Sequence, residues 1–442
     1  MPFACVLGGA ALLLWPAFLN AYPLAFIDSV SYLLHALTWR HPWDKTAAYG
    51  PFLLVASGGV SLWGAAVVQA VLLSWLLWRV VAVVAGAADR LRFAVLVLVL
   101  AAATTAPWFV ALLMPDIFAP VVVLCLFLLA WDDGASTRLR LAIGVVAAFA
   151  IAVHLSHLGI AGAAVALAAL TRRGRGPVLR AAVPLAGALA FLLAANLAAF
   201  GKPALSAHGA LFLLARLQAD GPAAETLRRH CPARGWELCA HVDAMPMSAD
   251  AFLWSARSPL LRARDGTPRP DNGLSLTGEA AQIVAATLTQ APLAVARAML
   301  ANTLRQALRT RMGDTLEPSD LRGGVAEVVG GLLGARERGR FEASAQMRDT
   351  DPGTGADALH QAIVLAALVL LAGWFVRGGW RAKPVPAAFA VFALGAIAAN
   401  AFMTGALSGP HDRYGARIAW IAVAAAVLVW MGRSRGAASA PA

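Results

Sequence analysis

The chain has 442 residues, 60% of them hydrophobic and 14% charged, with a mean hydropathy of +0.69. That balance excludes a water-soluble or disordered chain and marks an integral membrane protein. The net charge of +12 invites a nucleic-acid reading, but residues 201–357 hold 18 Lys and Arg against 17 Asp and Glu, so the excess lies elsewhere, in short loops between apolar stretches.

A membrane-crossing helix needs about 20 mostly apolar residues. Stretches at 3–20, 59–85, 92–113, 116–131, 140–155, 157–171, 178–200, 358–377, 384–405 and 414–431 meet or approach that length, with the middle three short. The expected fold is therefore an all-α polytopic membrane protein with about ten transmembrane helices and a mostly helical, outward-facing insert. The first stretch lacks a basic leader region and an Ala-x-Ala site, so it reads as a retained helix. Residues 1–200 form an N-terminal transmembrane module, 201–357 the insert, and 358–442 a three-helix C-terminal module.

The basic clusters orient the chain. Arg79, Arg90 and Arg92, then Arg138 and Arg140, Arg172, Arg173, Arg175 and Arg180, Arg377, Arg381 and Lys383, and Arg433 and Arg435 all fall on one side of a ten-span topology. By the positive-inside rule that side is cytoplasmic, with both termini there, and the charge serves orientation and contact with membrane lipids. The opposite side then collects most of the acids and histidines.

The first outer loop, 21–50, carries Asp28, the first acid of the chain, with Arg40, His41, Asp44 and Lys45. A carboxylate where a membrane helix meets water is costly to desolvate and points to a function. The plain alternative is an N-cap for a helix beginning at Ser29. Asp116 opens the 116–131 stretch and has the same alternative. Together the two carboxylates could share a site, one taking a proton from a hydroxyl and the other orienting it or holding a divalent metal. His154 and His157, three apart, would share one helix face and could meet metal or phosphate, or serve structural hydrogen bonds.

Within the insert, apolar residues recur at helical spacing in 209–218 and 291–312, and Thr277 with Glu279 suggests a capped helix over 277–290. The Pro- and Gly-rich pieces 265–273 and 350–356 read as loops, and 436–442 is an Ala-rich tail. Cys5 and Cys125 sit in apolar stretches as small hydrophobes. Cys231 and Cys239 face an oxidising side and are expected to form a disulfide, with a metal site involving His230 or His241 as the alternative. In the last outer turn, Arg413 and Arg417 lie one helical turn apart beside Tyr414. Two guanidiniums so spaced suit a lipid-linked phosphate, the alternative being snorkelling to the headgroups.

Asp28, the Trp39-Arg40-His41-Pro42 and Tyr49-Gly50-Pro51-Phe52-Leu53 pieces, Asp116 and Arg413-Tyr414 together resemble membrane glycosyltransferases of the GT-C type. The chain departs from that pattern in lacking a paired acid in its first loop and in carrying its soluble part before the last three helices. The resemblance implies transfer of a sugar from a polyprenyl-phosphate carrier to an acceptor at the outer face of a bacterial cytoplasmic membrane. Asp28 would then be the base with Asp116 beside it. Arg413, Arg417, Tyr414, Lys202, Arg40, His41, His154 and His157 would meet donor and phosphate. A divalent metal cofactor is left open, and so is the acceptor. The rival readings are a lipid flippase or transporter and a non-catalytic assembly protein of the cell envelope.

Overall fold

A computed structural model describes residues 2–317, 321, 324–348 and 354–432. Arg433, Arg435, the tail 436–442 and residues 350–353 of the expected loop lie outside the described residues. Among the described residues the chain is helical, with no strand beyond two isolated bridges.

Five helices are long and apolar enough to cross a membrane: Trp63–Ala85, Arg175–Phe200, Asp357–Val376, Pro384–Leu407 and Asp412–Met431. A sixth is added if Leu274–Gln290 and Pro292–Ala307, bent by 101° at their junction, count as one broken span. The other stretches expected to span are helical but shorter or interrupted. Residues 3–20 divide into Pro2–Leu13 and Trp15–Asn20, and 92–113 into Arg90–Ala103 and Ala106–Ala111. Each second piece carries a proline, Pro16 or Pro107, within its first two positions. Proline lacks an N–H and its ring crowds the preceding turn, so a helix starts there more easily than it continues. Phe118–Trp131, Thr137–Ala152 and Ser156–Thr171 complete the set. Val183, Val369 and Leu370 are exposed on their helices, the arrangement that a hydrocarbon surrounding favours and water does not.

The chain divides into two compact units, one of residues 1–195, 309–400 and 412–442, the other of 196–308 and 401–411. The stretch 201–357 is thus shared between them. In the first unit, a single parallel bridge joins Leu24 to Leu112, with Leu24 N–H donating to the Ala111 carbonyl (2.9 Å) and Leu113 N–H to the Leu24 carbonyl (2.8 Å). Ser29 Oγ adds a bond to the Leu113 carbonyl at 3.0 Å. These three bonds fix the approach to Asp28 against the approach to Asp116. Gly50 allows the Tyr49–Ser57 helix to pass close to Ser29–Thr38, since a Cβ there would stand 2.9 Å from the Tyr32 carbonyl oxygen.

Residues 335–348 are fastened to the same region. Gln346 holds Ala25 from both sides, accepting its N–H at 3.1 Å and donating to its carbonyl at 2.8 Å. Glu337, 2% exposed, accepts from Tyr22 Oη at 2.6 Å, Ser61 Oγ at 2.5 Å and the Leu62 N–H at 3.3 Å, and pairs with Arg340 at 3.3 Å. A buried carboxylate so enclosed is stabilising only while its donors remain. Glu337→Ala strands the Tyr22 and Ser61 hydroxyls and is expected to cost about 2–3 kcal/mol, read as a lowered unfolding midpoint of the detergent-solubilised protein.

The second unit is built from Gly209–Ala219, Pro222–His230, Ala249–Trp254, Thr277–Gln290 and Pro292–Ala307. Thr277 is not a cap: its hydroxyl donates to the Leu274 carbonyl at 2.7 Å inside a preceding 3-10 turn. Glu279 caps a different element, accepting the N–H groups of Glu237 (2.8 Å) and Leu238 (2.9 Å) at the start of the 3-10 segment Glu237–Ala244. The helix expected over 291–312 ends at Ala307. Cys231 and Cys239 form the disulfide, which uses the thiols that a metal site would have needed.

Candidate functional site

Six charged side chains of the first unit form one ion-pair network. Asp28 Oδ2 stands 3.2 Å from Lys45 Nζ and 3.4 Å from Arg413 Nη2, while Lys45 also meets Asp44 at 3.1 Å. Asp116 lies 3.9 Å from Arg413 Nη1 and 3.3 Å from Arg417 Nη1. Three carboxylates thus face three cations, and the group is electrically neutral. Such closure is what permits this many charges to gather among apolar helices.

Asp28 occupies the N-cap position of Ser29–Thr38, yet its side chain makes no capping bond. The capping explanation therefore does not account for it, because the carboxylate turns to Lys45 and Arg413 instead. Asp116 likewise sits inside the 3-10 turn Pro115–Ile117 with its carboxylate on the arginines. Arg417 is not snorkelling. It is 0% exposed and its guanidinium also donates to Asn400 Oδ1 (2.8 Å) and Ser156 Oγ (2.7 Å).

Arg413 lies across the Phe26 ring, its Cζ 4.1 Å from the centroid, and Tyr414 stands between the two arginines at 5.2 and 5.1 Å from their Cζ atoms. Arg413 Nη1 is buried and makes no hydrogen bond among the described residues. A carboxylate, that of Asp116, stands 3.9 Å from it.

Exposure grades along the network. The Asp28 side chain is 31% exposed, against 2% for Asp116 and 0% for Arg417. Burial acts to raise the Asp28 carboxyl, but the Lys45 ammonium and then the Arg413 guanidinium outweigh it and hold the group below the ordinary carboxylate range. Burial acts to lower Lys45, and Asp28 followed by Asp44 reverses this, holding the ammonium well above its usual range. Asp28 is therefore an ionised, partly exposed carboxylate.

The histidines complete the inner end. Ser156 donates to His154 Nδ1 at 2.8 Å through its hydroxyl and at 3.2 Å through its N–H, while its oxygen receives Arg417. Those bonds place the His154 proton on Nε2. His154 precedes the helix Ser156–Thr171 instead of sharing a helix face with His157, although their ring centroids are 5.3 Å apart. His157 Nδ1 donates to the Ala150 carbonyl at 2.6 Å, the structural hydrogen bond that was the alternative for it.

The structure thus brings Asp28, Asp116, Arg413, Arg417, Tyr414, His154 and His157 together. Arg40 is exposed, His41 lies half-buried beside the His35 ring (6.0 Å between centroids), and Lys202 is exposed in the second unit. Sequence reading passed over four participants: Asp44 and Lys45, named only as loop charges, and Asn400 and Ser156, neutral residues within apolar helices. Among the described residues no three of His, Cys, Asp and Glu converge as a metal site would require. A cleft of about 380 Å³ lined by Ala48, Pro51, Phe149, Ala152, Ala188 and Phe191 begins within three residues of Lys45. Compared with known families, curated proteins and solved structures, the chain matches none.

Proposed function

We propose that the protein is a membrane glycosyltransferase. It moves a sugar from a polyprenyl-phosphate carrier to an acceptor at the outer face of a bacterial cytoplasmic membrane, with ten spans and both termini cytoplasmic. The observation that carries this reading is one partly exposed, ionised carboxylate, Asp28, held against Arg413, whose Nη1 makes no hydrogen bond among the described residues and has Asp116 at 3.9 Å. An acceptor hydroxyl attacks the anomeric carbon and its proton passes to Asp28. The bond from that carbon to the phosphate oxygen breaks, and the carrier leaves as its phosphate anion toward Arg413. Cations fixed in place before the reaction stabilise the leaving charge without reorganising. With its proton affinity held down by Lys45 and Arg413, Asp28 takes the proton late, as the new C–O bond forms. Asp116 orients the arginines, and the apolar cleft near Lys45 accommodates isoprene units.

The reading is tested by supplying radiolabelled polyprenyl-phosphate sugars to membranes with and without the protein. Transfer of label out of the lipid fraction should depend on the protein, and identical label distribution in both membranes would reject it. One observation favours a second, non-catalytic reading: Arg417, Asp116, Asn400 and Ser156 satisfy one another in full burial, as a structural staple would. An assembly scaffold tolerates loss of the partly exposed Asp28 in function, whereas an enzyme does not.

The Asp28 carboxyl also sets a pH dependence. Because it is held below its ordinary value of 3.8, its stabilising contribution is complete above that value and is lost as pH falls through the lower, folded value. Melting curves from neutral to acid pH should show a decline below about 3.8 that is diminished in Asp28→Asn. An acid decline of equal size in both proteins would contradict the pairing.

A further inference from the structure

The helix Pro292–Ala307 of the second unit is turned inside out relative to a helix in water. At about 100° per residue, Leu293, Leu300, Leu304 and Leu308 fall within an arc of about 80°. All four are between 59% and 73% exposed. The opposite face buries two amides, Asn302 and Gln306, around a single apolar side chain, Val295. Asn302, 1% exposed, donates to both carboxylate oxygens of Asp220 at 3.0 and 2.9 Å. Gln306, also 1% exposed, accepts the His411 N–H and donates to the His411 carbonyl, each at 2.9 Å. A helix against water places its leucines inward and its amides outward.

The charges say what covers the leucines. Between Glu279 and Asp314 the chain has no acidic residue, while Arg297, Arg305, Arg309 and Arg311 occur in that interval. Arg297 and Arg305 are exposed on the helix itself. Arg297 falls inside the leucine arc, where its length lets the guanidinium extend past an apolar boundary to a phosphate. A leucine face edged by arginine alone complements the acyl region and the phosphates of a lipid leaflet, and offers nothing to a basic protein partner.

We propose that Pro292–Ala307 lies in the membrane interface, with its leucine arc among acyl chains and Arg297 and Arg305 at lipid phosphates, so that the insert is docked to the bilayer and is not a free soluble domain. The 101° bend after Gln290 redirects the chain from Thr277–Gln290 into this orientation. The inference is independent of the glycosyltransferase reading.

The test uses the full chain in nanodiscs of phosphatidylethanolamine and phosphatidylglycerol, with Cys5→Ala and Cys125→Ala leaving the disulfide as the remaining cysteines. Leu300→Cys and, separately, Leu304→Cys carry a bimane label, and Ser275→Cys, exposed in the same unit, is the reference. Doxyl-labelled lipid should quench the two leucine positions several-fold more strongly than the reference, and aqueous iodide should do the reverse. Iodide quenching equal to that at Ser275 would overturn the proposal by showing the face in water. Protection from both quenchers, with energy transfer between labelled copies, would overturn it by showing that a second copy covers the leucines.

Discussion

Asp28→Asn is expected to lower the rate of sugar transfer by about 10²–10⁴-fold, the range a positioned base supplies, while the carrier still binds. The substitution keeps the size of the side chain and removes its charge and basicity. It also removes an anion from a neutral group of six charges, which leaves Lys45 to Asp44 and Arg413 to Asp116. Both cations keep a partner, so membrane insertion and folding should survive. Asp44→Asn is the control: Asp44 pairs with Lys45 but not with Arg413, and its loss should change the rate far less. The two variants are compared by turnover of radiolabelled carrier and, separately, by retention of carrier on the purified protein. Equal rates in wild type and Asp28→Asn would remove Asp28 from the chemistry.

Arg417→Met should destabilise the protein by about 3–5 kcal/mol, the usual consequence of removing one partner of a buried ion pair. Asp116, 1% exposed, would be left with Arg413 at 3.9 Å and no closer cation, and Asn400 and Ser156 would each lose a donated bond. Pairing Arg417→Met with Asp116→Leu removes the orphaned charge. The double variant should regain most of the loss, because a buried pair replaced by apolar groups of similar size is often neutral. Unfolding midpoints of the three proteins in detergent measure both effects. A double variant as unstable as the single one would show that shape, and not charge, governs the position.

Much of this arrangement was legible in the sequence. Long runs of Ala, Leu and Val report exclusion from water, whether by packing or by lipid, so the positions of the ten apolar stretches follow from composition, and each appears as helix over most of its length. Their lengths did not follow, because the breaks at Leu14 and at Thr104 and Thr105 depend on where a proline starts a new helix. Asp28, Asp116, Arg413 and Arg417 stood out because charge is rare near apolar helices. Asn400 and Ser156 did not, since a neutral polar residue within a membrane helix has many structural uses and its partner is 17 or 261 residues away in the chain. Lys45 was visible but unassigned, as nothing local indicates that a loop lysine folds back to an acid at the loop's other end. The single bridge between Leu24 and Leu112 left no pattern at all, being one residue long. The inverted polarity of Pro292–Ala307 could be read as a period but not as a direction: Leu recurs helically there, and only packing decides which face is inside.

In the proposed reaction this network handles a lipid-linked phosphate and discharges its sugar. The most direct measurement is loss of label from a radiolabelled polyprenyl-phosphate sugar in proteoliposomes containing the purified protein and a cell-envelope extract as acceptor. The label should leave the lipid phase with wild-type protein, with unlabelled polyprenyl phosphate accumulating in step, and should stay in the lipid phase with Asp28→Asn. Carrier that remains intact over wild-type protein, or is consumed equally over both, would contradict the account.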